Sequence, residues 1–287
     1  MADRHIVLEG PPGTGKSTLL RAVAHELGIG FEFVEGNAEL TPARMVGHFD
    51  PARVLTDGYV PDVFVDGPLI AAMTAGSLLY VEEINRIPEE TLNVLITVMS
   101  EQELHVPRLG RIACAPGFRL VAAMNPFDAV GTARISGAVY DRMCRLSMTY
   151  QSADEEQAIV RRALGQGTDA AGGSVDDQWV ARIVELVGRT RQHPDLRVGS
   201  SVRGAIDAAK VAATLGGVRS LAPTDPSVGL DAALVALSGR VRVREGSMRT
   251  SEEIITDLWR EIFAPGGERD GADPGKANAP VGATSNR

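Results

Sequence analysis

Over the first half of the chain, short apolar runs alternate with stretches whose apolar positions recur at helical spacing; beyond Tyr150 only the helical spacing remains. Ile6-Val7-Leu8 predicts a buried strand, Ser17 to Leu27 an amphipathic helix, Phe31 to Glu35 a strand, and Ser77 to Val81 a second buried strand. Pro88 fits the first turn of a helix reaching about Glu101, since the N–H that proline lacks has no helical partner there. Glu89 and Glu90 fall near its positive end, while Leu92, Leu95, Ile96 and Met99 repeat at helical spacing. Phe118 to Met124 predicts a further strand. Strands that alternate with helices imply a doubly wound parallel sheet covered on both faces.

Past Tyr150, Ser152 with Glu155 forms a capping box that opens a helix to about Leu164, and a glycine-rich loop, Gly165 to Ser174, follows. Further helices are expected at Asp176 to Arg191, Ser200 to Leu215 and Val228 to Arg240, with a last one at Thr250 to Phe263, capped by Thr250 with Glu253. The expected organisation is an α/β domain over 1–150, a small all-helical domain over 151–264 and a disordered tail over 265–287. The tail is rich in Gly, Pro, Ala and Asp and lacks the apolar periodicity needed to offset its ordering entropy.

Composition narrows the class. The 44% hydrophobic content suits a globular chain, and no apolar stretch approaches the length of a membrane span. Met1-Ala-Asp-Arg-His runs almost at once into a strand, which leaves no room for an export signal, so a cytoplasmic protein is expected. A net charge of −8 and the absence of a basic, aromatic-interleaved stretch weigh against nucleic-acid binding. Cys114 and Cys144 are too few for a disulfide framework, have no metal-ligand spacing, and are expected to be small buried side chains.

The chemistry is concentrated at two places. Directly after the first strand stands Gly10-Pro-Pro-Gly-Thr-Gly-Lys-Ser, a phosphate-binding loop between strand and helix. Its glycines at 10, 13 and 15 let the backbone turn sharply and aim N–H groups at phosphate oxygens, and the helix N-terminus adds partial positive charge. Lys16 offers an ammonium to the β and γ phosphates of ATP, and Ser17 a hydroxyl to Mg²⁺. Gly10, Pro11, Pro12, Gly13, Thr14, Gly15, Lys16, Ser17 and Thr18 are the expected nucleotide-binding set. The second place is the strand Leu78-Leu79-Tyr80-Val81, which ends in Glu82 and Glu83. Where a strand ends the chain turns, so neighbouring carboxylates can serve different tasks: Glu82 on the metal side with Ser17, and Glu83 to polarise the attacking water.

Gly10-Pro-Pro-Gly-Thr-Gly-Lys-Ser, Glu82-Glu-Ile-Asn-Arg-Ile-Pro, Ala123-Met-Asn-Pro and Tyr140-Asp-Arg-Met resemble, in order and spacing, the MoxR family of AAA+ ATPases over residues 5 to about 216. The resemblance implies a P-loop AAA+ fold with a small helical lid and Mg²⁺-dependent ATP hydrolysis. It also implies a homo-oligomeric ring, expected to be a hexamer, and chaperone-like remodelling or maturation of a partner protein. That partner commonly carries a von Willebrand factor A domain, often in connection with metal insertion. Asn125 is similar to the family's sensor residue, and Arg203 resembles its second sensor. Arg142, without an obvious partner in its own subunit, looks like the arginine finger, with Arg145 close enough to compete. Residues 43–66, ending at Gly67-Pro-Leu, resemble the hairpin insert of this branch, and residues 103–117 its second hairpin. Such hairpins face the pore or the partner in ring-shaped relatives; read without the family, they are ordinary surface loops.

Three departures stand beside the resemblance. Glu82 replaces the aspartate usual at the metal position and adds a methylene, so looser Mg²⁺ binding and slow turnover are expected. Relatives carry a helix and linker over the adenine where this chain has nine residues ahead of Gly10, and the similarity fades beyond Gly216. An assembly switch that binds ATP and hydrolyses little of it stands as the alternative, with a DNA-remodelling motor disfavoured by the charge balance.

Overall fold

A computed structural model of the chain describes residues 4–125, 137–165 and 175–263. The glycine-rich stretch after Gly165 and the tail over 265–287 lie outside the described residues. The chain forms two compact units, Met1–Ile159 with Ser201–Arg203, and Val160–Ser200 with Gly204–Arg287.

The first unit is built on five parallel strands: β1 (His5–Glu9), β2 (Phe31–Glu35), β3 (Leu78–Glu82), β4 (Arg119–Met124) and β5 (Met143–Ser147). Their order across the sheet is β2-β3-β4-β1-β5. Two strands, β3 and β4, separate β1 from β2, so the carboxyl ends of β3, β4 and β1 lie side by side, where ligands of parallel sheets bind. The sequence pattern does not predict β5: Met-Cys-Arg-Leu-Ser mixes polar and apolar residues and forms an edge strand with one buried residue, Met143.

Alternation along the strands divides the core between the two faces of the sheet. Val7, Val34, Leu79, Val81, Leu120 and Ala122 point into the larger cluster, which takes in Leu69, Met73, Leu95 and Val98 from the helices Pro68–Ala75 and Glu89–Glu101. Leu8, Tyr80, Val121 and Ala123 form a smaller cluster on the other face, with Leu20 of helix α1 (Lys16–Leu27) packed against it. Pro88 serves as the N-cap of Glu89–Glu101 rather than as part of its first turn.

Residues 43–66 contain an antiparallel pair, Gly47–Phe49 with Phe64–Asp66, and between its strands a short helix, Pro51–Asp57, capped by the Asp50 carboxylate. Residues 103–117 contain a second pair, Glu103–Val106 with Gly110–Ala113. The two meet where the Arg108 guanidinium stacks 3.6 Å from the centre of the Tyr59 ring.

In the second unit the helix Ser251–Phe263 packs on Asp177–Thr190 and on Pro226–Leu237, and most of Val202–Arg219 belongs to the same unit. The unit is not wholly helical, as Leu196–Val198 pairs antiparallel with Arg242–Val243. Both tryptophans of the chain are here. Trp259 stacks on Phe263 at 3.7 Å, and Trp179 meets both rings edge-on or tilted. Thr250 and Glu253 close the expected capping box, and so do Ser152 and Glu155.

Because both tryptophans belong to the second unit, their fluorescence reports on that unit alone. Leu186 is fully buried there, and Leu186→Ala is expected to remove about 2–5 kcal/mol of its stability. A lowered urea midpoint followed by tryptophan emission checks this; an unchanged midpoint contradicts the packing described.

Candidate active site

Helix α1 begins at Lys16 behind Gly15, which sits in the left-handed region at φ 78°, and no side chain caps its first turn. Gly13 is also left-handed, at φ 77°. Among the described residues, the N–H groups of Gly13, Gly15, Lys16 and Ser17 have no acceptor. The loop itself is well fixed. Gly10 N–H donates to the Met124 carbonyl at 3.2 Å, Thr14 Oγ1 donates to the Pro11 carbonyl at 3.1 Å, and Gln151 Nε2 donates to the Thr14 carbonyl at 2.9 Å. Lys16, 9% exposed, turns its ammonium onto the Gly10 and Pro11 carbonyls at 3.0 and 2.9 Å. Burial pushes its pKa below the usual lysine range; nearby Glu82 opposes the drop and Arg203 adds to it. Pro12 and Thr18 are exposed, the one in the turn and the other in the first turn of α1.

Ser17 Oγ donates to Glu82 Oε1 at 2.9 Å, so helix and strand close on each other as their sequence positions suggested. With that single hydroxyl proton used, Tyr80 is the donor in its 3.2 Å contact with Ser17 Oγ. Tyr80 is fully buried, and burial is the main cause that pushes its phenol up to about 12. Despite its extra methylene, Glu82 reaches the serine directly. At Glu83 the chain leaves the strand in a left-handed conformation, φ 50°, ψ 44°, rare for a residue with a side chain and costing about 1–3 kcal/mol. Its carboxylate lies 3.2 Å from Arg86 Nε. Asn125 directly follows Met124 at the end of β4, between the ends of β3 and β1.

Arg142 is not brought to this place. It precedes β5, whose Met143 is level with His5 at the start of β1, so it lies at the opposite end of the sheet from the loop. Nor is it without a partner in its own chain: Nε donates to Ser100 Oγ, and Nη1 to the Ala138 carbonyl at 2.8 Å. Arg145 is held within the chain too, its Nε 2.5 Å from the buried Glu9 carboxylate, which also accepts from Tyr140 OH at 2.6 Å. Arg203 belongs to the loop's unit and is close enough to Lys16 to act on its charge. The expectation of two buried cysteines is corrected. Cys144 is exposed on edge strand β5, while Cys114 is half-buried, its thiol pushed up to about 11 by burial.

The donor set fits a nucleoside triphosphate. Four unbonded N–H groups at a helix start and a desolvated ammonium form an anion cradle of the kind that receives phosphate oxygens. Ser17 and Glu82 fit a hard cation that takes few protein oxygens and fills its octahedron with phosphate and water.

The sequence matches the AAA domain of the dynein-related subfamily over residues 5–143, which span the loop and both carboxylates. That stretch, just under half of the chain, is similar to an AAA domain. Gas vesicle ATPase GvpN2 of Halobacterium salinarum is 28% identical over 281 residues, covering 92% of this chain and 75% of that protein. The uncharacterized protein SERP0979 of Staphylococcus epidermidis is 28% identical over 219 residues, 74% of this chain and 80% of that one. The Thermotoga maritima RuvB Holliday junction branch migration motor superposes with a TM-score of 0.53 at 21% identity, over 81% of this chain and 61% of that chain. At that identity, with less than two thirds of RuvB covered, the likeness bears on the fold alone, a P-loop AAA+ parallel sheet. The matched segment and the ATPase-named relative support ATP hydrolysis.

Three residues that shape the site carry no signal in the sequence: Tyr80, Gln151 and Gly36. Gly36 N–H donates to the Glu82 carbonyl at 2.7 Å, and a Cβ on Gly36 would stand 2.8 Å from that oxygen and closer still to the Glu83 carbonyl. Gly36→Ala must therefore displace the backbone that carries both carboxylates. The expected outcome is a fall in kcat of about tenfold or more, with ATP affinity changed less than about twofold. Steady-state ATPase assays beside nucleotide titrations check it; unaltered kcat would show that Gly36 has no part in setting the carboxylates.

Proposed function

We propose that this chain is a MoxR-like AAA+ ATPase, a homo-oligomeric ring that uses ATP hydrolysis to remodel or mature a partner protein. The observation that carries the catalytic part is the closure of Ser17 onto Glu82 beside the uncapped start of α1, with Glu83 next in the chain. In this reading the loop N–H groups and Lys16 hold the triphosphate. Glu83 accepts the proton of the attacking water, and Asn125 orients that water with its amide. Ser17 and Glu82 hold Mg²⁺, which neutralises phosphate charge when bound. Arg142 serves a neighbouring copy as the arginine finger, Arg203 acts as the second sensor, and residues 151–264 form the lid domain.

For the partner, the insert over 43–66 is the supporting observation. It exposes Leu55, Tyr59, Val60 and Val65, and carries Asp50, Asp57, Asp62 and Asp66 against Arg44 and Arg53. Apolar and slightly acidic, such a surface suits a protein rather than a phosphate backbone. A client with a von Willebrand factor A domain, and a role in metal insertion, are the finer part of this proposal and follow from the MoxR resemblance.

Glu83→Gln is expected to keep ATP binding and lower kcat by about a hundredfold, because an amide keeps the shape and accepts no proton. Lys16→Ala is expected to weaken binding itself. Mixing Arg142→Ala with Glu83→Gln chains is expected to restore part of the lost turnover, since some interfaces then join an intact base to an intact finger. Wild-type turnover in Glu83→Gln removes that residue from the mechanism, and absence of recovery in well-mixed assemblies removes Arg142.

A further inference from the structure

The apolar run Leu78-Leu79-Tyr80-Val81 carries one polar side-chain atom, the Tyr80 hydroxyl. Tyr80 and Glu82 stand two positions apart on β3 and so share the face of the sheet that α1 covers. Ser17, in the first turn of α1, meets both of them. Its Oγ donates to Glu82 Oε1 at 2.9 Å and lies 3.2 Å from the Tyr80 hydroxyl, with the Glu82 carboxylate close to that phenol as well. The phenol ring is held in place. Phe31 and Phe33 of β2 stand 6.0 and 5.7 Å from its centre, and the Arg21 guanidinium, one turn along α1 from Ser17, lies 5.1 Å from the centres of both. Tyr80 is fully buried, and a buried hydroxyl costs free energy unless it is bonded. The bond it makes is to the serine on which a cation would rest.

A serine hydroxyl has one proton and two lone pairs, and left alone it rotates to suit its neighbours. Here the proton goes to Glu82 and one lone pair takes the Tyr80 proton. A single lone pair is left, and its direction is set by the other two contacts. That matters for the choice of metal, because Mg²⁺ demands near-ideal octahedral geometry whereas Ca²⁺ accepts irregular oxygen shells.

We propose that Tyr80 is a positioning residue for the cation: its hydroxyl fixes the orientation of the Ser17 oxygen and thereby sets a preference for Mg²⁺ over Ca²⁺. The inference rests on the reading that Ser17 and Glu82 hold Mg²⁺. Tyr80→Phe keeps the ring and removes the hydroxyl. Affinity of the full chain for the β,γ-imido analogue of ATP, which is not hydrolysed, is measured by calorimetry in EDTA, in Mg²⁺ and in Ca²⁺. In Tyr80→Phe the metal-free affinity is expected to stay within about twofold of wild type and the tightening by Mg²⁺ to shrink about five- to tenfold, with the tightening by Ca²⁺ nearly unaltered. Damaged packing alone would instead lower the metal-free affinity and affect both metals alike. Because Tyr80 acts through Ser17, adding Tyr80→Phe to Ser17→Ala is expected to change the Mg²⁺ effect by less than about twofold. Three results overturn the proposal and leave the metal reading standing: an unaltered Mg²⁺ effect in Tyr80→Phe, an equal loss with both metals, or a loss that persists in full when the serine hydroxyl is absent. A Mg²⁺ effect that survives Ser17→Ala overturns the metal reading, and the proposal with it.

Discussion

The first turn of α1 is a positive pole with no anion of its own to face. Four N–H groups lack acceptors among the described residues, no side chain caps them, and the cation beside them, Lys16, is desolvated and turned onto loop carbonyls. Ordinary helix starts relieve this with a serine or an aspartate. Here glycine occupies the capping position, so relief has to come from outside the chain. The surroundings preserve that unmet demand: β4 holds Gly10, Gln151 holds Thr14, and Met148 N–H donates to the Glu9 carbonyl at 2.7 Å just before the loop. A loop fixed at so many points cannot collapse to satisfy its own donors.

A second set of contacts joins the loop to distant parts of the same unit. The Glu9 carboxylate, buried one residue before Gly10, receives Tyr140 and Arg145 together. Tyr140 closes the short helix Gly137–Tyr140 and stands two residues before Arg142. The segment that carries Arg142 and the loop that carries Lys16 are thus tied to one carboxylate, across the length of β1. On the far side, Gly36 ties the end of β2 to the Glu82 carbonyl. Loop, carboxylates and Arg142 segment are therefore linked through hydrogen bonds on both flanks of the site.

Much of this is legible in sequence because its signals are local. The glycine spacing of the loop, the apolar runs of β1 to β4 and the two capping boxes each fall within a few residues, and the structure has them nearly where their patterns place them. What the sequence hides is non-local or carried by a single residue. β5 has a mixed composition because only its first residue is buried. The pairing of Leu196 with Val243 joins segments with no shared pattern, and Arg145 reads as a competing candidate for the finger until the sheet sets it beside Glu9. Gly36 is one glycine among 31, and only the approach of two carbonyls gives it meaning.

The desolvation of Lys16 has a consequence for protons as well as phosphates. Its lowered pKa means that, at alkaline pH below the ordinary lysine range, part of the Lys16 population has lost its proton. A polyanion needs the charged form and raises the pKa again when it settles on the loop. Over that window, binding takes up a proton from solution. Affinity for the anion then declines as pH rises, an alkaline dependence that comes from the cradle itself and not from any group that performs the chemistry.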